Sequence, residues 1–192
     1  GTGQLRFTGS APQMFIPKAG AAFPSIRQAG TGGTTIQTNS LTAGALTIVT
    51  GVLALGNGCT HSVASVGSAT PNSGGIDFGS STLRVTANGA DFRNIALTNT
   101  SGKIAFAQSS NQTFYPRAGT IMPDIVRDGT AGTVTISTNS LRTNRLTLTQ
   151  GTLSLGTGLR DTVGIVHGPG SLNFGSAALV VLGDTADFGS PT

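Results

Sequence analysis

The 192-residue chain contains no tryptophan, no glutamate, one tyrosine (Tyr115) and one cysteine (Cys59), and only 9% of it is charged. Each shortage removes a class of protein. With a single cysteine no internal disulfide can form, so the fold must rest on packing and hydrogen bonds, and Cys59 is expected as a buried, inert thiol. No run reaches the roughly 18 apolar residues that a membrane-crossing helix needs. The segment after Gly1 lacks the basic start and apolar middle of a signal peptide. Alanine is common but lies among Gly, Thr and Ser with no stripe at a period of 3.6, which excludes long α-helices. Nine arginines and two lysines against seven aspartates leave a net charge of +4. That bias permits attraction to acidic glycans but lacks the basic clusters of a nucleic-acid binder.

What the chain has in quantity is glycine, 29 residues of it, together with Thr, Ser and aliphatic residues in alternation. The stretch Ser140 to Gly158, SLRTNRLTLTQGTLSLGTG, has an earlier counterpart in Ser40 to Gly58, SLTAGALTIVTGVLALGNG. Both read as strand, glycine turn, strand. In Leu146-Thr147-Leu148-Thr149 and Leu153-Ser154-Leu155 the period of two puts the leucines on one face and the hydroxyls on the other. Two such strands cannot cover their apolar face alone, so neighbouring strands must.

The correspondence extends over most of the chain. Leu5-Arg6-Phe7 matches Ile104-Ala105-Phe106, and Gln13-Met14-Phe15-Ile16-Pro17 matches Gln112-Thr113-Phe114-Tyr115-Pro116, at an offset of 99. The offset becomes 100 through the central block and 96 after the loop Gly67 to Gly75. There Ile76-Asp77-Phe78-Gly79 matches Leu172-Asn173-Phe174-Gly175, and Ala90-Asp91-Phe92 matches Ala186-Asp187-Phe188. Residues 4–95 and 102–189 thus form two internal copies within one continuous body, 1–192.

A finer spacing of about 20 residues separates the apolar anchors Leu5, Ile26, Leu46, Val66, Leu83, Ile104, Ile125, Leu146, Val166 and Leu179. Such a period marks a solenoid. The expectation is an all-β fold, a single-stranded parallel β-helix (β-solenoid) of nine to ten coils and roughly 45 Å, with stacked apolar residues inside. The competing arrangement is two antiparallel β-sandwiches of about 95 residues each.

The succession LRFTGSAPQMF through GVLALGNG resembles the parallel β-helical repeats of bacterial cell-surface and adhesin-like proteins, including autotransporter passenger repeats. That resemblance implies an exported, surface-associated, bacterial protein and transfers no catalytic residue. Such families often carry a cap or anchor, and neither is visible here. Open solenoid ends expose unpaired strand edges. The chain is therefore expected to be an excerpt of a longer rod, continued by adjoining solenoid coils, or to dock onto further copies of itself head to tail.

Candidate chemistry is sparse. The only carboxylates are Asp77, Asp91, Asp124, Asp128, Asp161, Asp184 and Asp187. Asp91 and Asp187 correspond, which suits an Asx turn more than an active site. Asp124, Arg127, Asp128 and Arg145 read as a surface ion-pair cluster. His61 corresponds to Asp161 and His167 to Gly67. Neither has companions in a metal-ligating pattern, so both are read as surface or loop residues. No metal, cofactor or catalytic residue is expected. A discontinuous basic strip, Arg6, Arg27, Arg84, Lys103, Arg127 and Arg145, with Tyr115 as the aromatic contact, is the candidate ligand-binding surface for an acidic polysaccharide. Thr133, Thr135, Thr147 and Thr149 form a candidate outward Thr array of the ice-binding kind, interrupted by Val49 in the first copy.

These observations favour a non-catalytic structural or adhesive segment of a secreted or cell-surface protein, with polysaccharide or other surface proteins as candidate partners. A carbohydrate-binding module is the alternative. A β-helical polysaccharide lyase or hydrolase, or an ice-binding protein, stands behind both.

Overall fold

The computed structural model describes residues 3–69 and 74–189; residues 70–73, within the loop Gly67 to Gly75, lie outside it. The described residues form twenty-one short strands and no helix. Among the described residues every strand pair is parallel, and each strand pairs with the strand about one winding further along the chain. The fold is a parallel β-solenoid of about nine coils. Facing sandwich layers joined by hairpins are therefore excluded.

Each coil has three sides. The first side starts with Gln4–Phe7 and Ser25–Gln28. It runs in register through Leu5, Ile26, Leu46, Val66, Ala90, Phe114 and Ile136. The second side begins with Gln13–Phe15, Thr34–Ile36, Gly51–Ala54, Gly74–Asp77 and Ile95–Thr98. In later coils Met122, Thr143, Val163 and Val181 align there. On the third side Leu83, Ile104, Ile125, Leu146, Val166 and Ala186 align. Long strands such as Thr42–Ile48 and Thr60–Ser68 bend around a corner, contributing to two sides.

Alternation decides which side chains enter the core. In Ser25–Gln28, Thr133–Ile136 and Asp124–Arg127 every second residue is buried, as the pleat requires. Ile26, Leu46, Ile104, Ile125, Leu146 and Val166 are buried in continuous stacks. Two aromatic chains reinforce them. Phe7, Phe15 and Phe23 meet at centroid distances of 5.2 and 5.3 Å, and Phe78, Phe92, Phe114 and Phe106 at 6.4, 6.1 and 5.0 Å.

The internal sequence correspondence does not return to the same side of the coil. Ile26, Leu46 and Val66 lie on the first side, whereas their counterparts Ile125, Leu146 and Val166 lie on the third. Windings of the central coils are longer than 20 residues, so an offset near 100 falls one side short of five coils. Corresponding positions therefore face different directions.

Candidate functional site

The outward residues expected to form one basic strip are divided by this geometry. Arg6 and Arg27 are register neighbours on the first side. Arg84, Lys103 and Arg145 belong to the third side. There Arg84 reaches Asp128, with Nη2 3.4 Å from Oδ2, and Lys103, Asp124 and Arg145 succeed one another in consecutive coils. Burial pushes the Asp124 carboxyl above its usual value, while Arg145 and Lys103 draw it back. The expected alignment of Asp124 with Arg145 is therefore present, and each cation of this row faces a carboxylate. Tyr115 stands on the first side, and the Arg93 guanidinium covers its ring at 4.4 Å from the centroid. Arg93 also holds Asp91, Nη2 to Oδ2 2.6 Å. Burial opposes ionisation of Asp91, but the hydrogen bonds and charge of Arg93 outweigh it and keep its pKa below the usual value. One face of the Tyr115 ring is thus covered by Arg93 and is not free to serve as a sugar platform.

Arg127 corrects the expectation outright. It is fully buried, with a relative exposure of 0%. It follows Ile125 by two on Asp124–Arg127, so the pleat turns it inward beside Phe106 and Leu148. Its guanidinium donates to the carbonyls of Phe106 (3.0 Å), Gln108 (3.1 Å), Gly132 (3.1 Å) and Ala131, and Nε donates to Thr152 at 3.4 Å. Gly129 and Gly151 leave it room: a Cβ on either would lie 2.0 or 2.7 Å from its terminal nitrogens. An open polar hollow of about 450 Å³ lies outside, lined by Thr130, Ala131, Gly132, Thr149, Gln150 and Gly151 among others. Arg127 braces the wall of that hollow from within and is not on its surface. Gln28, its sequence counterpart, is also buried and donates Nε2 to the carbonyls of Gly30 (2.8 Å) and Thr50 (3.4 Å). Inward polar side chains at this corner tie turn carbonyls of successive coils together.

His61 is a second correction, being fully buried instead of lying on a surface loop. Its Nδ1 accepts from the Leu41 N–H at 3.0 Å, and Nε2–H donates to the Leu55 carbonyl at 2.8 Å. Those partners fix the neutral tautomer, and burial lowers its pKa against that Leu55 hydrogen bond. Asp161 plays the same part in the second copy: Oδ1 accepts from the Leu141 N–H at 2.6 Å. Its Oδ2 is buried with no partner, and burial pushes its pKa up to about 6. The signal for both was present in the sequence: each lies two residues before an inward valine, Val63 or Val163.

Asp91 Oδ1 accepts from the Arg93 N–H and Asp187 Oδ1 from the Gly189 N–H, both Asx turns. His167 is exposed, its Nδ1 3.2 Å from Asp187 Oδ2. Cys59 is half-buried, not buried. The Thr array divides as well: Thr133 and Thr135 lie on the first side, Thr147 on the third. Among the described residues no group of three or more His, Cys or Asp side chains converges in metal-binding geometry, and no helix is long and apolar enough to cross a membrane. Comparison with protein families, with curated proteins and with solved structures finds no match to this chain.

Proposed function

We infer that the chain is a non-catalytic, rigid shaft, a structural or adhesive segment of a secreted or cell-surface bacterial protein. The observation that carries this reading is the continuous core. About nine coils stack with inward Ile, Leu, Val and Phe in columns, and the buried polar groups that interrupt them, Gln28, His61, Arg127 and Asp161, are turned to backbone groups. These four side chains, of kinds that binding or catalytic surfaces use, here bond to the backbone of the solenoid. Parallel stacking makes such a body stiff along its axis, because successive coils are joined by parallel ladders that run through the first and third sides and, up to Ile95–Thr98, through the second.

Stretching single molecules tethered at the two termini tests the shaft reading. Unfolding in one or a few large steps at high force is expected, and extension at low force without resolved steps would overturn it. The carbohydrate-binding alternative has one observation in its favour, the side-by-side Arg6 and Arg27. A glycan array read with the wild type, Arg27→Ala and Tyr115→Ala decides it: a retained acidic glycan lost in Arg27→Ala would establish a binding module. The shaft reading expects no such glycan. Incubation with pectin, alginate and hyaluronan tests the lyase reading, which requires unsaturated products.

A further inference from the structure

One turn of the solenoid is arranged to react with itself. We propose that Asn57-Gly58 is a self-modification site, at which the Gly58 nitrogen attacks the Asn57 side-chain amide, ammonia leaves, and water opens the resulting cyclic imide to aspartate or isoaspartate. The reaction needs only water and does not depend on the shaft role.

Asn57 and Gly58 lie in the turn between Gly51–Ala54 and Thr60–Ser68, and Ser80 lies in the same turn of the next coil, between Gly74–Asp77 and Thr82–Asp91. All three are exposed. Gly58 is left-handed (φ 69°), and nothing stands within 4 Å of where its Cβ would be, so no neighbour shields its nitrogen. Ser80 touches both reacting groups. Its Oγ accepts from the Gly58 N–H at 3.0 Å, and Asn57 Oδ1 accepts from the Ser80 hydroxyl at 3.4 Å and from the Ser80 N–H at 3.2 Å. A single hydroxyl therefore bridges the nucleophile and the carbonyl it attacks, and holds them on one side of the turn. As the Gly58 nitrogen bonds to Asn57 Cγ, its proton passes to Ser80 Oγ while the Ser80 hydroxyl proton passes to Asn57 Oδ1. The Ser80 N–H stabilises that oxygen as its bond to carbon weakens. Collapse of the tetrahedral carbon returns the proton to Nδ2, breaks the Cγ–Nδ2 bond and releases ammonia. Water attacking Cγ then breaks the new bond and gives aspartate. Water attacking the main-chain carbonyl of residue 57 breaks the original peptide bond instead and gives isoaspartate, with an extra carbon in the main chain. An open hollow of about 380 Å³, lined by Gln37, Thr38, Asn57 and Cys59 among others, admits that water.

The corresponding turn of the second copy shows that the fold does not need the amide. There the Gly158 N–H donates to Ser176 Oγ at the same 3.0 Å, with Thr157 standing where Asn57 does. The glycine-to-serine bond joins the coils in both copies, and Asn57 adds the reactive carbon in the first alone. Asn88-Gly89, the other Asn-Gly pair of the sequence, is placed differently. Gly89 is buried within Thr82–Asp91, between Ser65 and Thr113 of the neighbouring coils. A backbone held in a ladder on both sides cannot turn its nitrogen onto the preceding side chain, so Asn88 serves as a reference within the same molecule.

Peptide mapping by mass spectrometry, after incubation of the full chain in mildly alkaline buffer, tests this. Asn57 is expected to be lost to aspartate and isoaspartate while Asn88 is retained. One carboxylate replaces one neutral amide, so the net charge falls from +4 to +3, read as an acidic shift on isoelectric focusing. Ser80→Ala is expected to slow the loss by about 10-fold or more, Ser80→Thr to keep it, and Asn57→Thr, which copies the second turn, to abolish the shift. Asn57 that persists in the folded protein while the guanidinium-unfolded chain loses it, loss as fast in folded Ser80→Ala as in the wild type, or equal loss at Asn57 and Asn88 would each overturn the proposal. Should circular dichroism show Ser80→Ala unfolded, the comparison of Asn57 with Asn88 in the wild type decides alone.

Discussion

Leu41 and Leu141 begin corresponding segments whose N–H groups point into the core, and each is met by a different ionisable side chain. His61 meets the first in its neutral form and Asp161 the second, with opposite consequences for pH. The folded-state pKa of Asp161, about 6, exceeds its ordinary value of 3.8, so folding is favoured where it is protonated. That stability is full below about pH 4 and is lost as pH rises through about 6. His61 is depressed, so its neutral state supports the fold above about pH 6.5 and a penalty accumulates as pH falls below that. Asp161→Asn keeps the acceptor for the Leu141 N–H and removes the buried charge. It is expected to stabilise the protein by about 2 kcal/mol at pH 8, with the advantage vanishing near pH 4 in urea titrations. Arg127→Met leaves turn carbonyls without donors and should cost about 3–5 kcal/mol. Arg127→Gln, which installs the residue found at Gln28, should cost clearly less in the same assay. The position of Arg127 was readable from alternation with Ile125, but an arginine is ordinarily placed outside because its burial needs many acceptors. Only the turns of the neighbouring coils, at Gln108, Ala131 and Gly132, supply them.

At the level of strands and turns, glycine positions separate into two kinds. Gly151 (φ 68°) is left-handed and packed: a Cβ would lie 2.5 Å from the Gly129 carbonyl oxygen and 2.7 Å from Arg127 Nη2. Gly58 (φ 69°) has nothing within 4 Å. Gly58→Ala should therefore cost only the backbone strain, about 1 kcal/mol. Gly151→Ala adds overpacking and a displaced arginine, about 3 kcal/mol or more in total. Thermal melts of the two variants check the difference. The strand, glycine turn, strand wording of both copies made these turns legible without coordinates. Which turns touch the next coil was not legible, because that depends on how far each winding travels before it closes.

Across the whole molecule, coil-to-coil contacts make stability nearly one-dimensional. Hydrogen exchange should show the slowest amides at the centre, around Ile104, Phe114 and Ile125, all fully buried. It should show faster exchange in the last coil, where Phe174, Leu182 and Phe188 are exposed. Uniform protection from end to end would contradict this gradient. The all-β character follows from the sequence, and a recurrence near 20 residues combined with a period of two pointed to a wound chain, but the parallel register of the coils was needed to exclude two antiparallel sandwiches. Tertiary structure alone decided the direction in which each outward residue points. Turns of unequal length make the coils longer than the sequence period, so small differences accumulate until corresponding positions occupy different sides. That accumulated rotation separates Arg6 and Arg27 from Arg84, Lys103 and Arg145. A strip read by counting residues therefore becomes separate patches in space.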